Sequence, residues 1–390
     1  MVIYSIISTL KRELATIKSD KLYFAVLVIL PLVMVLFFGV MFRRGTIDNL
    51  PIAVVDDDNS LMSRRLISMV DATSGVEVAY EPNSMAEAEE MMLRGKAMAI
   101  IYIDSGFARD IYSGVTVDVE CYLLGTNISA SGIVERDVQQ VVESLSAGVA
   151  LDKLESMGVE YSRAVVDIMP IRVQANILSN PYLNYGYYLA PIFMIMGVVI
   201  FTILATIYAI GRELRYETAK EWMCAANESL WCGVVGKLLP TTIAMTILSQ
   251  LIYMILFVIM GMECVGSYLC LSIATLLLIL AYQAVAIAFI AMTANLRMAL
   301  SLGGGYGVMA FTFSGITFPT IAMFGAAQGL SKCFPLSYFG EIFVDQAMRG
   351  VHLSVDMPKL GALMLFMSLV VLSWQRLHTI ICDEKFWGRE

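Results

Sequence analysis

Hydrophobic positions in this chain follow three spacings, and each predicts a different kind of element. Six stretches are almost uninterruptedly apolar: residues 22–42, 184–210, 238–261, 268–293, 298–318 and 360–381. At about 1.5 Å per residue the first covers roughly 31 Å, one bilayer hydrocarbon core. Backbone groups in lipid must be satisfied within their own segment, so all six are expected to be helices. Residues 22–42 are too long for a signal-peptide core. They run into Arg43-Arg44 and not into a small-residue cleavage site, so they read as an uncleaved first span. The fifth stretch, "SLGGGYGVMAFTFSGITFP", carries five glycines and closes on Pro319. Close helix packing, or a helix broken near its end, would account for them.

The second spacing is period two. "LPIAVVD" (50–56), "GVEVAY" (75–80), "KAMAIIYI" (96–103) and "VTVDVECYLL" (115–124) read as strands. Between them "SLMSRRLISMVDA" and "SMAEAEEMMLRG" read as helices, the second opening on a Ser84…Glu87 capping box. Residues 127–157 predict one long helix and "IRVQANIL" (171–178) a returning strand. The third spacing belongs to residues 1–21. Ile3, Ile7, Leu10, Leu14 and Ile17 fall 4, 3, 4 and 3 apart, as in an amphipathic helix lying in a membrane interface. A soluble helix packed on other protein is the alternative. The expected fold is therefore a polytopic α-helical membrane protein. It would have six spans, an amino-terminal interfacial helix and an α/β domain over 43–181, inserted between spans one and two. Spans two to six would form a bundle over 184–381, followed by a tail at 382–390.

Composition supports this reading. Of 390 residues, 58% are hydrophobic and 15% charged, whereas soluble domains lie near 45–50% and 25%. Residues 43–181 hold 21 Asp/Glu against 11 Lys/Arg, a net of −10 in a chain of net −8. The acidic excess thus sits in one stretch, which argues against a nucleic-acid partner. Lys and Arg concentrate at 11–21, 212–237, 297 and 376–389, which predicts that both termini are cytoplasmic and that 43–181 faces outward. The seven cysteines form no CxxC pair and only Cys121 lies in 43–181, so no disulfide scaffold is expected there. Two histidines, His352 and His378, are too few and too separate for a His-based metal site.

Chemistry-bearing motifs are sparse. The chain lacks GxxxxGK[ST], HExxH and GxSxG, so neither a nucleotide site nor a catalytic centre of its own is expected. Asp56-Asp57-Asp58 follows a strand and precedes Asn59-Ser60, a context that favours turn and cap chemistry over a cation. No acidic or basic residue falls deep within spans two to five, where coupled transporters keep their relays. An external energy source fits better.

One segment stands apart: "RELRYETAKEWMCAAN", residues 212–227, charged and helix-prone between two apolar runs. Drawn as one helix it places Glu213, Glu217 and Glu221 at i, i+4 and i+8, beside a row of Arg212, Tyr216 and Lys220. It is either a solvated connector or a helix that presses into a groove on a soluble partner. Here the chain resembles the membrane permeases of type-2 ATP-binding cassette (ABC) exporters. The likeness rests on Arg212-Glu213, Thr218, Glu221 and the later Gly236-Lys237-Leu238-Leu239-Pro240. The family's glycine before the Thr is Glu217 here, Trp222 takes a common apolar position, and "AANES" replaces a frequent proline. "KRELATIKSDKLYFAVLVILPLVMVLFFG" resembles the family's elbow helix and first span. "GTIDNLPIAVVDDDNSLMSRRL" resembles the start of its outward domain, and "SGITFP" and "FPLSYFGEIFVDQAMRG" its fifth span and re-entrant segment, here 325–350.

The resemblance implies a bacterial inner-membrane subunit that pairs with a second permease, itself or a paralogue. Separate cytoplasmic ABC ATPase subunits would dock beneath the pair. Arg212, Glu213, Glu217, Thr218, Glu221, Trp222 and Lys237 would couple to that ATPase, and Gly315, Phe318 and Pro319 would stand near an outer gate. A periplasmic adaptor is a further implied partner, and no cofactor is implied. The cargo would be amphiphilic, drug-like or lipid-like. A membrane-anchored sensor or secretion scaffold, or a secondary transporter, are the rival classes; a stoichiometric ATPase partner separates them.

Overall fold

The computed structural model describes residues 2–43, 45, 47–158, 184–315 and 318–388. The chain divides into two compact units, Met1–Gly45 with Ile177–Glu390, and Thr46–Asn176. The strand expected at 171–178 lies outside the described residues.

The first unit is helical. Helix α1 (Val2–Ser19) leads through an Asp20 cap into α2 (Lys21–Met41). Then follow α7 (Tyr185–Arg215), α8 (Ala219–Ala225), α9 (Leu230–Met254, extended by a π turn to Ile259), α10 (Tyr268–Thr293) and α11 (Leu296–Phe313). The short helices α12 (Gly325–Ser331) and α13 (Pro335–Phe343) come next, then a π turn Val344–Arg349, α14 (Leu353–Phe366) and α15 (Ser368–Cys382). Five of these helical stretches are long and apolar enough to cross a membrane: Lys21–Met41, Gly186–Arg215, Leu230–Ile259, Tyr268–Thr293 and Leu353–Cys382. Helices α7 and α10 are central, with 78% and 72% of their most apolar windows buried, against 17% for α2 and 11% for α14–α15.

The sixth expected span, 298–318, is not among the five. It corresponds to α11, which stops at Phe313; Gly315 then takes φ +82°, a left-handed conformation that ends a helix readily. Its glycines divide by role. A Cβ on Gly303 would come within 2.5 Å of Ile203, so this residue lets α11 press on α7, while Gly304 and Gly305 have no neighbour within 4 Å.

Three expectations change at the helix ends. Span two runs on to Arg215 and span three begins at Leu230, so Glu213 and Lys237 lie inside spanning helices and not between them. The reason is mutual neutralisation, described below. The last span is two helices, broken at Met367. In α1 the face turned into the protein is Ser5, Thr9, Glu13 and Ile17, packed on α9. Of the expected apolar stripe Ile3, Ile7 and Leu14 remain exposed, the arrangement an interfacial helix needs.

The second unit holds a four-stranded sheet, β1 (Leu50–Asp56), β2 (Val76–Tyr80), β3 (Ala99–Ile103) and β4 (Glu120–Leu123), in the order β2-β1-β3-β4. β1 is parallel to β2 and β3; β4 is antiparallel to β3. Both faces are covered. Ile52, Val54 and Ile101 pack with α3 (Leu61–Asp71), Phe107 of α5 (Phe107–Ser113) and α6 (Ile128–Ser156), while Ala53, Val55 and Ile100 pack with Ala88 of α4 (Met85–Leu93). A central strand buried on both sides must be apolar at consecutive positions, and "IAVV" is.

The Asp triplet does structural work. Asp56 accepts the amides of Asp58 and Asn59 and the Ser63 hydroxyl, Asp57 accepts the Tyr102 hydroxyl, and Asp58 accepts the amides of Gly106 and Ala108. Ser84 caps α4 through the Glu87 amide, while the Glu87 carboxylate reaches the amide of Asn83, one residue short of a capping box.

Candidate functional site

The charged segment 212–227 is not one helix. α7 ends at Arg215, the chain turns through Tyr216–Thr218, and α8 starts at Ala219. Glu217 at the turn has φ +59°. This breaks the expected row of Glu213, Glu217 and Glu221 and sends its members to different surroundings. Glu213 is fully buried, whereas Glu217 and Glu221 are exposed. Position 217 thus holds left-handed backbone, which costs a side-chain-bearing residue about 1–2 kcal/mol. Glu217→Gly is expected to raise the melting temperature of the purified protein and Glu217→Val to lower it. Identical melting of all three would mean that the turn is unstrained.

Inside the turn lies a largely buried ionic network. The Lys237 ammonium, 1% exposed, donates to Glu13 Oε2 at 2.5 Å and to Glu213 Oε1 at 2.7 Å. Arg12 holds Glu213 with both terminal nitrogens, Nη1–Oε1 at 2.7 Å and Nη2–Oε2 at 2.9 Å. Thr218 Oγ1 donates to Glu213 Oε2 at 2.6 Å, and Tyr23 OH to Glu13 Oε1 at 2.8 Å. Two acids and two bases balance, and every carboxylate oxygen has a donor, the condition under which buried charge is tolerated. Trp222, fully buried, packs its ring 5.0 Å from the Lys237 ammonium and donates its indole N–H to Gly233 O at 3.2 Å. The network ties α1, α2, α7, the turn, α8 and α9 together.

A second tie runs beside it. Asp20 accepts the amides of Leu22 and Tyr23 as cap, and its Oδ2 accepts Tyr208 OH and Arg212 Nε, each at 2.9 Å. Burial pushes its carboxyl up, but the Tyr23 amide, the Tyr208 hydroxyl and the Arg212 charge outweigh this and hold it below its ordinary value. A depressed carboxyl stabilises the fold above the usual Asp range, and the contribution is lost as pH falls through and below about 4. Burial lowers the Arg12 guanidinium, yet the Glu213 hydrogen bond and the Glu213, Glu13 and Glu221 charges leave it raised overall.

Of the expected coupling residues, Glu213, Thr218, Trp222 and Lys237 therefore come together, with Arg212 beside them. Only Glu217 and Glu221 are exposed, joined on α8 by Lys220. The reading of Glu213 as a surface contact is corrected: its carboxylate is spent on Arg12, Thr218 and Lys237. Arg12, Glu13, Asp20 and Tyr23 are new members of the site. Their trace in the sequence is the polar row Ser5, Thr9, Glu13 at i, i+4, i+8, which a search for apolar spacing passes over. A Cβ on Gly236 would meet Ile6 O at 2.7 Å, so this glycine lets α1 close down on α9.

The residues expected near an outer gate divide as well. Gly315 and Pro319 border a cavity of about 480 Å³ between α7, the end of α11, α13 and the π turn; Phe318 does not line it and is half exposed.

Comparison with known proteins agrees with this architecture. A stretch covering 61% of the chain is 20% identical to the probable multidrug ABC transporter permease YbhR of Escherichia coli K12, and equally to its counterpart in Escherichia coli O157:H7. The match spans 61% of the length of these relatives. The model of the ABC-2 family transporter proteins matches residues 21–374, from the start of α2 into α15. That match takes in the apolar helices, the sheet-bearing unit and the ion-braced turn in one continuous span, and the chain belongs to the ABC-2 family of transporter proteins.

Proposed function

We propose that this chain is the six-span permease subunit of an ABC exporter. It carries an amphiphilic, drug-like or lipid-like molecule out of the cytoplasm or inner leaflet, and the ATP is hydrolysed on a separate subunit. The observation that carries this reading is the buried network of Arg12, Glu13, Glu213 and Lys237 beneath an exposed turn. A push on α8 from a docked ATPase would pass through Trp222, Thr218 and Glu213 into α7 and α9 and into the elbow helix α1. Arg212 would keep that end of α7 tied to Asp20. Glu217, Lys220 and Glu221 would form the docking face. The name of the multidrug relative supports the choice of cargo.

In the same reading two permeases pair, and α2, little buried within the chain, faces the partner or lipid. Both termini are cytoplasmic in the bacterial inner membrane. Residues 43–181 face outward, where an adaptor could dock, and Gly315, Phe318 and Pro319 stand at the outer end of the path. Extraction of the native membrane in mild detergent tests the proposal. A Walker-type ATPase is expected to co-purify in stoichiometric amount, and ATP-dependent export is expected on reconstitution. A permease that elutes alone, or moves solute with no ATPase present, sinks it.

A further inference from the structure

The cavity beside Gly315 and Pro319 has one charged corner, and its other walls are mainly apolar and aromatic. Ile192, Ile195, Phe339 and Phe343 line it, and Glu341, Asp345, Arg349 and Lys359 meet at one side. The ion pairs of this corner are unequally shared. Lys359 is bonded to Asp345 and lies 2.9 Å from Asp356, whose other oxygen accepts Gln346 Nε2 at 2.7 Å. Arg349 lies 3.1 Å from Asp345. Glu341 is left with a 3.9 Å approach to the already shared Lys359, and its side chain is 55% exposed. The charged residues lining the cavity are two acids and two bases, but Lys359 is also shared with Asp356, buried behind the wall, so Glu341 is the acid least satisfied. Lys332 borders only the neighbouring cleft and joins no ion pair among the described residues.

A carboxylate without a close partner, at the edge of a cavity walled by phenyl rings, is the arrangement that recognises an organic cation. Phe339 and Phe343 stand on the cavity wall, and Glu341 at its edge supplies the opposite charge. The apolar walls select a hydrophobic body. We infer that this cavity binds a monocationic amphiphile, with its apolar part among Ile192, Ile195, Phe339 and Phe343 and its charge at Glu341. The inference rests on the exporter reading and deepens it from an amphiphile to a cationic one.

Two probes of the same shape and opposite charge, tetraphenylphosphonium and tetraphenylborate, test it on the purified full-length chain in detergent without ATP. The difference between wild-type and Glu341→Gln titrations cancels partition into detergent. Tetraphenylphosphonium is expected to bind the wild type and to bind Glu341→Gln about tenfold more weakly, while Glu341→Asp restores most of the affinity. Tetraphenylborate is expected to give the same titration with either protein. The side chain is more than half exposed, so unchanged melting temperature will certify the variants. The inference is overturned by absent phosphonium binding, by equal phosphonium affinity in Glu341→Gln, or by tighter borate binding that Arg349→Gln abolishes. None of these results bears on whether an ATPase co-purifies, so the two readings can fail separately.

Discussion

Lys237→Met is expected to destabilise the protein by about 3–5 kcal/mol, the usual cost of leaving a buried charge without its partner. Among the described residues the ammonium is the only group bonded to both Glu13 and Glu213. Without it Glu13 keeps, among the described residues, only the Tyr23 hydroxyl as a hydrogen-bond partner, and its buried charge loses its direct counter-ion. Methionine has a similar reach and still fills the space beside Trp222, so the loss reports charge and not volume. The double variant Glu13→Gln/Lys237→Met removes one acid with one base and leaves Arg12 paired with Glu213. It is expected to recover most of the stability lost by Lys237→Met alone, a coupling between neighbours that additivity would not give. Thermal melting in detergent and accumulation in the membrane measure both. If Lys237→Met melted like the wild type, the network would not brace the junction.

The second large effect concerns binding. Reversing charge on the exposed face of α8, Lys220→Glu with Glu221→Lys, is expected to weaken association with the ATPase more than about tenfold, since misplaced like charge at an interface costs several kcal/mol. The same changes should barely move stability. Glu221 approaches Arg12 at 3.6 Å with its side chain 74% exposed, and Lys220 and Glu384 are 3.9 Å apart with both exposed. Surface pairs of this kind contribute little. Glu213→Gln should do the opposite, lowering stability while leaving the docking face in place. Co-purification at two salt concentrations, read beside melting temperature, distinguishes the two roles. Full ATPase recovery with both α8 residues reversed would remove α8 from the contact.

The two kinds of residue in segment 212–227 show where sequence reasoning stops. Apolar runs long enough for a bilayer, and the alternation of 50–56 against the helical spacing of 60–72, were legible because each depends on neighbours within a few residues. The Asp56–Asn59 turn and the Ser84 cap were legible for the same reason: a side chain there satisfies an amide two or three positions away. The partition of Glu213, Glu217 and Glu221 was not. A continuous helix would put all three on one side, and one positive φ at Glu217 cancels that inference.

What the sequence determined by itself was therefore most of the long apolar helices, the strands of 50–123 and the membrane character of the chain, because hydrophobic spacing and capping are local and their free energies are already decided over one or two turns. What only the tertiary structure decided was which charges meet. Arg12 and Glu213 are 201 residues apart, and Lys237 and Glu13 are 224. Such partners are chosen when α1 closes onto α9 over Gly236. Burial then makes an ion with a partner acceptable and one without a partner costly, a distinction that no local pattern carries.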